Sequence, residues 1–306
     1  MSSETPVRPE PADVVVGIDG SPAARTAALW AAAEADRRSR PLHLVHAADT
    51  DRRAYWSDAE TIQAVREAGR ELLTGTEAAV RERFPDLVVT RLLGRRGPVD
   101  ELREVAGGEK TVVVGSRGLG GFSALLLGSV GLGVAARAEV PVIVVRGAAD
   151  RPGTGSVTAA VRDAEDMGWL LLAAAEASVR KASLRLLSVG NILTHVGEAA
   201  TMLDGLDGAA RRRVQEVEAL AERVREWYPD LIVTPHVETG TTTAGILVEA
   251  SAHTDLMVMG RGRRTLGAGP SLGRVAHALI HHAHCPVELV PAGFGTAPRP
   301  VPEERS

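Results

Sequence analysis

Residues 115–130 read GSRGLGGFSALLLGSV, with glycines at 115, 118, 120, 121 and 128. A glycine has no Cβ, so its backbone N–H can come close to a ligand. Such amides leading into a helix start, where N–H groups lack partners and the dipole is positive, suit an anion such as phosphate. So many glycines exceed what a plain strand-to-helix turn needs. The elements that must hold this loop flank it. Residues 111–114 (TVVV) are β-branched and apolar and read as a buried parallel strand. Residues 129–138 read as a helix, with Ser129 placed to cap its start.

The rest of the first half alternates strand and helix. Residues 13–19 (DVVVGID) read as a strand, and Gly20, Ser21 and Pro22 turn the chain into a helix over 23–38. A second strand covers 42–47. Residues 48–58 are polar and read as a loop. A long amphipathic helix over 59–83 ends at Pro85. Strand 87–93 and a short helix over 99–106 precede the strand at 111–114, and 141–145 is the fifth strand. Alternation of this kind implies a parallel sheet covered on both faces. Ligands of such sheets sit at the carboxyl ends of the strands, at a topological switch point. Asp19, Ala47 and Gly115 fall at such ends.

The pattern then repeats. AAAEA at 31–35 returns at 173–177, FPDLVVT at 84–90 returns as YPDLIVT at 228–234, and Pro141-Val142 returns as Pro286-Val287. The offsets of 142, 144 and 145 differ by small insertions and deletions. The chain of 306 residues therefore reads as one domain duplicated. The boundaries expected are a loose N-terminus over 1–12, a first domain over 13–147, a linker over 148–155, a second domain over 156–294 and a loose tail over 295–306.

Gly115, Gly118, Gly128 and Ser129 fit the spacing G-x2-G-x9-G-S. This resembles the ATP-binding motif of the universal stress protein family, and the duplication resembles that family's tandem two-domain form. The resemblance implies two Rossmann-like α/β domains, each a five-stranded parallel sheet with helices on both faces. It implies that the glycines and Ser129 contact the triphosphate and ribose, that Asp19 contacts the adenosine, and that Ala47, after His46, contacts adenine through its backbone. The site expected comprises Gly17, Asp19, Ala47, Gly115, Ser116, Arg117, Gly118, Leu119, Gly120, Gly121, Gly128, Ser129 and Val130. The cofactor implied is ATP with Mg2+. The resemblance also implies that the fifth strands pair the two domains into an intrachain pseudo-dimer; a further homodimer stays open.

The second loop, GRGRRTLGAGPSLGRV at 260–275, keeps the length but puts Arg263 at the position of Gly118 and Arg274 at that of Ser129. Residues 157–163 (VTAAVRD) have no clean match for GIDGS at 17–21, and Ser188 replaces His46. A weak second site would draw on Asp163, Val189, Gly260, Arg261, Arg263, Gly273 and Arg274. The arginines offer charge-assisted forks to phosphate; the alternative is a solvated basic loop on a domain that binds no nucleotide.

Other motifs carry less. GEKT at 108–111 lacks the glycine before lysine that a P-loop needs, and its lysine enters a strand. Gly131, Gly133 and Ala136 lie inside a helix, where a dinucleotide fingerprint does not work. His277, His281 and His284 have helical spacing, but the first copy carries Leu132, Ala136 and Glu139 there, so no metal is expected. A net charge of −4 leaves no basic excess for nucleic acid. A single cysteine, Cys285, allows no internal disulfide and suits a reducing compartment. No signal peptide or membrane span is read, so the cytoplasm is the expected location. The function expected is an ATP-binding regulatory or stress-response module that reports to a protein partner. A weak ATPase or nucleotidyl transferase in the same pocket, and a nucleotide-free interaction module, are the alternatives.

Overall fold

The computed structural model describes residues 12–108, 110–116, 118, 128–146, 153–163, 166–191, 202–261, 272–291 and 294. The first half runs β1 (Val14–Gly17), α1 (Pro22–Arg38), β2 (Leu42–Ala47), α2 (Thr50–Arg53), α3 (Ala59–Arg83), β3 (Val89–Gly94), α4 (Pro98–Ala106), β4 (Thr111–Gly115), α5 (Ser129–Arg137) and β5 (Val142–Val145). The second half runs β6 (Ser156–Ala160), α6 (Met167–Val179), β7 (Ser183–Asn191), α7 (Met202–Trp227), β8 (Val233–Gly240), α8 (Thr243–Ala250), a 3-10 turn (Ser251–His253), β9 (Leu256–Gly260), α9 (Arg274–His282) and β10 (Val287–Val290).

Local chemistry sets the helix ends. The Ser21 hydroxyl accepts from the Ala24 amide at 3.1 Å and Pro22 opens α1. Asp58 does the same for α3, accepting from the Thr61 amide at 2.8 Å. Two expectations need correction. The segment 48–58 contains the short helix α2, which starts after Asp49 in a left-handed conformation at φ 51°. The residue that caps α5 is Gly128, and Ser129 is the first helical residue.

The strands form one sheet in the order β3-β2-β1-β4-β5-β10-β9-β6-β7-β8. Each half is parallel throughout, and in each the strand order reverses beside the first strand, giving a doubly wound topology. The halves join where β5 and β10 pair antiparallel, with Val144 opposite Val287, Ile143 opposite Glu288 and Val142 opposite Leu289. The intrachain pairing of fifth strands is therefore present. β4, β5, β9 and β10 are buried and almost wholly apolar, as strands covered on both faces must be. One core lies on the α1, α3, α6 and α7 side, and a second on the α4, α5, α8 and α9 side.

On the first side, α1 and α6 meet over the seam with buried charge. The guanidinium of Arg38 donates from Nε to Glu34 at 2.8 Å and from Nη2 to Glu176 at 2.6 Å. Arg180 reciprocates, reaching Glu34 at 2.7 Å and also its own helix neighbour Glu176. Each glutamate thus holds arginines from both domains, and Glu34 takes Arg37 as well.

Candidate functional site

The strand register brings the expected first-domain residues together. β1 lies between β2 and β4, so Asp19, Ala47 and Gly115 stand at the carboxyl ends of three adjacent strands. This is the switch point of the first half-sheet, where β1 and β4 diverge. Asp19 is half-buried, and its Oδ1 accepts from the Ser21 amide at 2.9 Å, which fixes the turn into α1. Gly118 lies directly over this carboxylate: a Cβ added at residue 118 would stand 2.7 Å from Asp19 Oδ2. Gly115 faces the start of α1 as closely, with a Cβ there 2.8 Å from the carbonyl of Ala23.

The loop is closed at its base. The Gly128 amide donates to the Ser116 carbonyl at 3.2 Å, and the Ser116 amide to Val145 at 3.2 Å. Among the described residues no side chain caps α5 at Gly128, which leaves the amides of its first turn to an acceptor from outside the helix. Ser129 is exposed and Val130 half-buried at this helix start, while Gly17 packs against Leu102 of α4. Arg117, Leu119, Gly120 and Gly121 lie outside the described residues.

One supporting residue carries more of the site than its place in the sequence suggested. His46 Nδ1 is 2.7 Å from the carbonyl of Ile18, a contact that requires the proton on Nδ1. It fixes the peptide that leads into Asp19. The signal was a polar residue at the end of an apolar strand, directly before Ala47.

The second half builds the same strand ends differently. β6 pairs with β7 and β9 so that Val157 corresponds to Val14, which aligns Arg162 with Asp19 and leaves Asp163 one residue further on. The turn is tied by the buried carboxylate of Asp166. Its Oδ2 accepts from the Arg162 amide at 2.6 Å, and its Oδ1 accepts from the indole N–H of Trp169 at 3.0 Å. Trp169 occupies the position of Ala27 in the helix alignment. Its indole lies against Gly260, with Nε1 2.4 Å from where a Cβ would stand. Arg261 reaches across the seam, donating to the carbonyl of Ala135 near the end of α5 at 2.8 Å. Arg146 makes the converse contact, donating to Ile280 at 2.8 Å and Ala283 at 3.0 Å at the end of α9. Val189 is half-buried among core residues, Gly273 and Arg274 are exposed at the start of α9, and Arg263 lies outside the described residues.

His277 and His281 stack with ring centroids 4.2 Å apart. Among the described residues, no group of three or more His, Cys, Asp or Glu side chains is placed to hold a metal ion.

A doubly wound parallel sheet in each half, covered by helices on both faces, defines the class: a Rossmann-like α/β protein with a duplicated domain. The sequence places it further. The model of the universal stress protein family matches residues 12–146 and again 157–291. The universal stress protein Rv2624c of Mycobacterium tuberculosis is 33% identical over 292 residues, covering 90% of this chain and 95% of that one. Rv2623 of the same organism is 37% identical over 145 residues, an alignment that spans 45% of this chain and 46% of that protein. A crystal structure of a universal stress protein from Archaeoglobus fulgidus superposes with a TM-score of 0.65 at 16% identity, covering 92% of this chain and 96% of that one. The chain belongs to the universal stress protein family, with two copies of the domain.

Proposed function

We propose that the chain binds ATP, one molecule per chain, in the crevice of the first domain, and serves as a nucleotide-dependent regulatory module in a stress response. The observation that carries this reading is the apposition of Gly118 and Asp19. It sets main-chain amides and a carboxylate side by side at the switch point, next to the uncapped start of α5. The amides of Gly118, Ser129 and Val130 take the phosphates, Asp19 takes ribose hydroxyls, and the backbone at Ala47 faces the base. Mg2+ enters with the phosphates, which share its octahedral shell with water and carboxylate oxygens.

The polar side chains of this crevice hold backbone in place: His46 holds Ile18 and Asp19 holds Ser21. That favours recognition over turnover, with nucleotide occupancy read by a protein partner. The second domain is the support of the first: its turn is closed by Asp166 and Trp169, and Arg261 is engaged with α5. No described helix is long and apolar enough to cross a membrane, and Cys285 is buried and forms no disulfide. A reduced cysteine suits a cytoplasmic setting.

Calorimetric titration of ATP with Mg2+ into the wild type and Gly118→Arg tests the reading. One site in the wild type and none in the variant is the expected result. Two sites in the wild type would overturn the single-site assignment, and no binding to the wild type would overturn nucleotide recognition itself.

A further inference from the structure

Glu288 lies in the middle of β10, fully buried, directly opposite Ile143 across the only antiparallel strand pair among the described strands. Among the described residues neither carboxyl oxygen has a hydrogen-bond partner. It stands beneath the charge cluster that joins α1 to α6. The charged groups that face it are Glu34 and Arg38 from α1 and Glu176 and Arg180 from α6. Those four are already matched, two carboxylates to two guanidiniums, each arginine bonded to both glutamates. Arg37 joins Glu34 from the rim at 2.5 Å, where water screens it. Ionisation of Glu288 would add an unmatched negative charge in a site that supplies no hydrogen bond to it, the costliest condition for a buried group. Its duplicate position holds Ile143, so the fold requires no carboxylate there.

We propose that Glu288 is a proton-operated latch between the two domains: protonated, it lets the β5–β10 seam close under the Arg38–Glu176 and Arg180–Glu34 bridges, and its deprotonation favours opening. Burial, and then the nearby Glu176, push its pKa up to about 8 against the opposing pull of Arg38 and Arg180. An opened seam returns the group to water and to its ordinary value of 4.5. Between those values the closed form holds one proton more than the open form. Opening therefore becomes about tenfold more favourable per pH unit across that window and levels off above it.

The test uses the full-length chain. Urea unfolding of the wild type and Glu288→Gln is followed from pH 5 to 9. The expected result is an extra tenfold rise per pH unit in the wild type's unfolding constant between about pH 5 and pH 8, absent from the variant. If the glutamine variant does not fold, Glu288→Leu, which copies the apolar character of Ile143, serves as the reference. Hydrogen exchange at the amides of Val142–Val145 and Val287–Val290, corrected for intrinsic rates, must lose protection with the same slope. Parallel unfolding curves would overturn the proton site. A pH slope in unfolding without loss of seam protection would overturn the latch.

Discussion

The carboxylate of Asp19 and the Cα of Gly118 leave no room for a side chain between them, since a Cβ at residue 118 would stand 2.7 Å from Oδ2. A substitution must displace either the loop or the carboxylate. Gly118→Ala, the smallest such change, is expected to weaken ATP binding by about tenfold or more, roughly 1.4 kcal/mol. Global stability should hardly change, because residue 118 is exposed. Calorimetry and thermal melts on the same samples check both halves of the statement.

Trp169 makes the reverse case in the second domain. Its indole is 6% exposed and packs between Asp166 and Gly260. Trp169→Ala is expected to cost about 3–5 kcal/mol in urea unfolding, as removal of a buried indole leaves a cavity. It also leaves Asp166 without one of its donors. The number of ATP molecules bound per chain should stay at one, because position 162 carries an arginine where the first domain has Asp19. A second site in this variant would show that the indole alone closes the second crevice.

Particular residues show how far the sequence could be read. The duplication and the strand-loop-helix motif were legible, because repeated words such as FPDLVVT and YPDLIVT fix the alignment to a residue. The pairing of the fifth strands followed from family resemblance. The turn after β6 was not legible: the helix repeat, at an offset of 142, sets Val161 against Asp19, whereas the strand register, at an offset of 143, sets Arg162 there. Arg261 reads as a phosphate ligand by composition, and the structure adds a contact that no local pattern announces, to the Ala135 carbonyl more than a hundred residues away. Glu34 and Arg38 stand four apart on an alanine-rich helix, a spacing common to surface ion pairs. They are buried because α6 of the second copy docks beside them. Such facts live in the packing of distant elements and leave no local pattern.

The charge cluster sets an acid limit on stability. Burial pushes the Glu34 carboxyl up, but Arg180, Arg38 and Arg37 together outweigh it and hold the pKa at about 2, below its ordinary value of 4.5. The folded state therefore binds fewer protons than the unfolded state between these values. The stabilisation is complete above about pH 4.5 and is lost as pH falls towards 2. Glu34→Gln should flatten the acid limb of a urea-stability profile over that window. An unchanged limb would mean that other carboxylates control acid unfolding.

Within that cluster, Arg38 serves two carboxylates from two domains and also reaches the Thr111 hydroxyl at 3.0 Å. Arg38→Met should cost about 3–5 kcal/mol, because Glu34 and Glu176 keep their charge and lose a partner. Adding Glu176→Leu should recover part of that loss, since it removes one of the stranded charges. Urea unfolding of both single variants and the double variant measures the coupling. Strict additivity would mean that the two side chains are solvated independently, against the geometry of the pair.

The arginines that cross the seam couple the two domains at a place relevant to the crevice. Arg261 caps the carbonyl of Ala135, and α5 carries at its other end the open amides next to Gly128. A helix of 9 residues is short enough that loss of a contact at its end is felt at its start. Arg261→Ala should therefore lower ATP affinity by about three- to tenfold, equivalent to roughly 0.6–1.4 kcal/mol. The converse variant, Arg146→Ala, releases the end of α9 in the second domain and should loosen the seam with little effect on affinity. Calorimetry on the pair separates the two roles: equal losses of affinity would mean that both arginines act only through domain docking. A loss confined to Arg261→Ala would make the second domain's degenerate loop a brace for the first domain's nucleotide site.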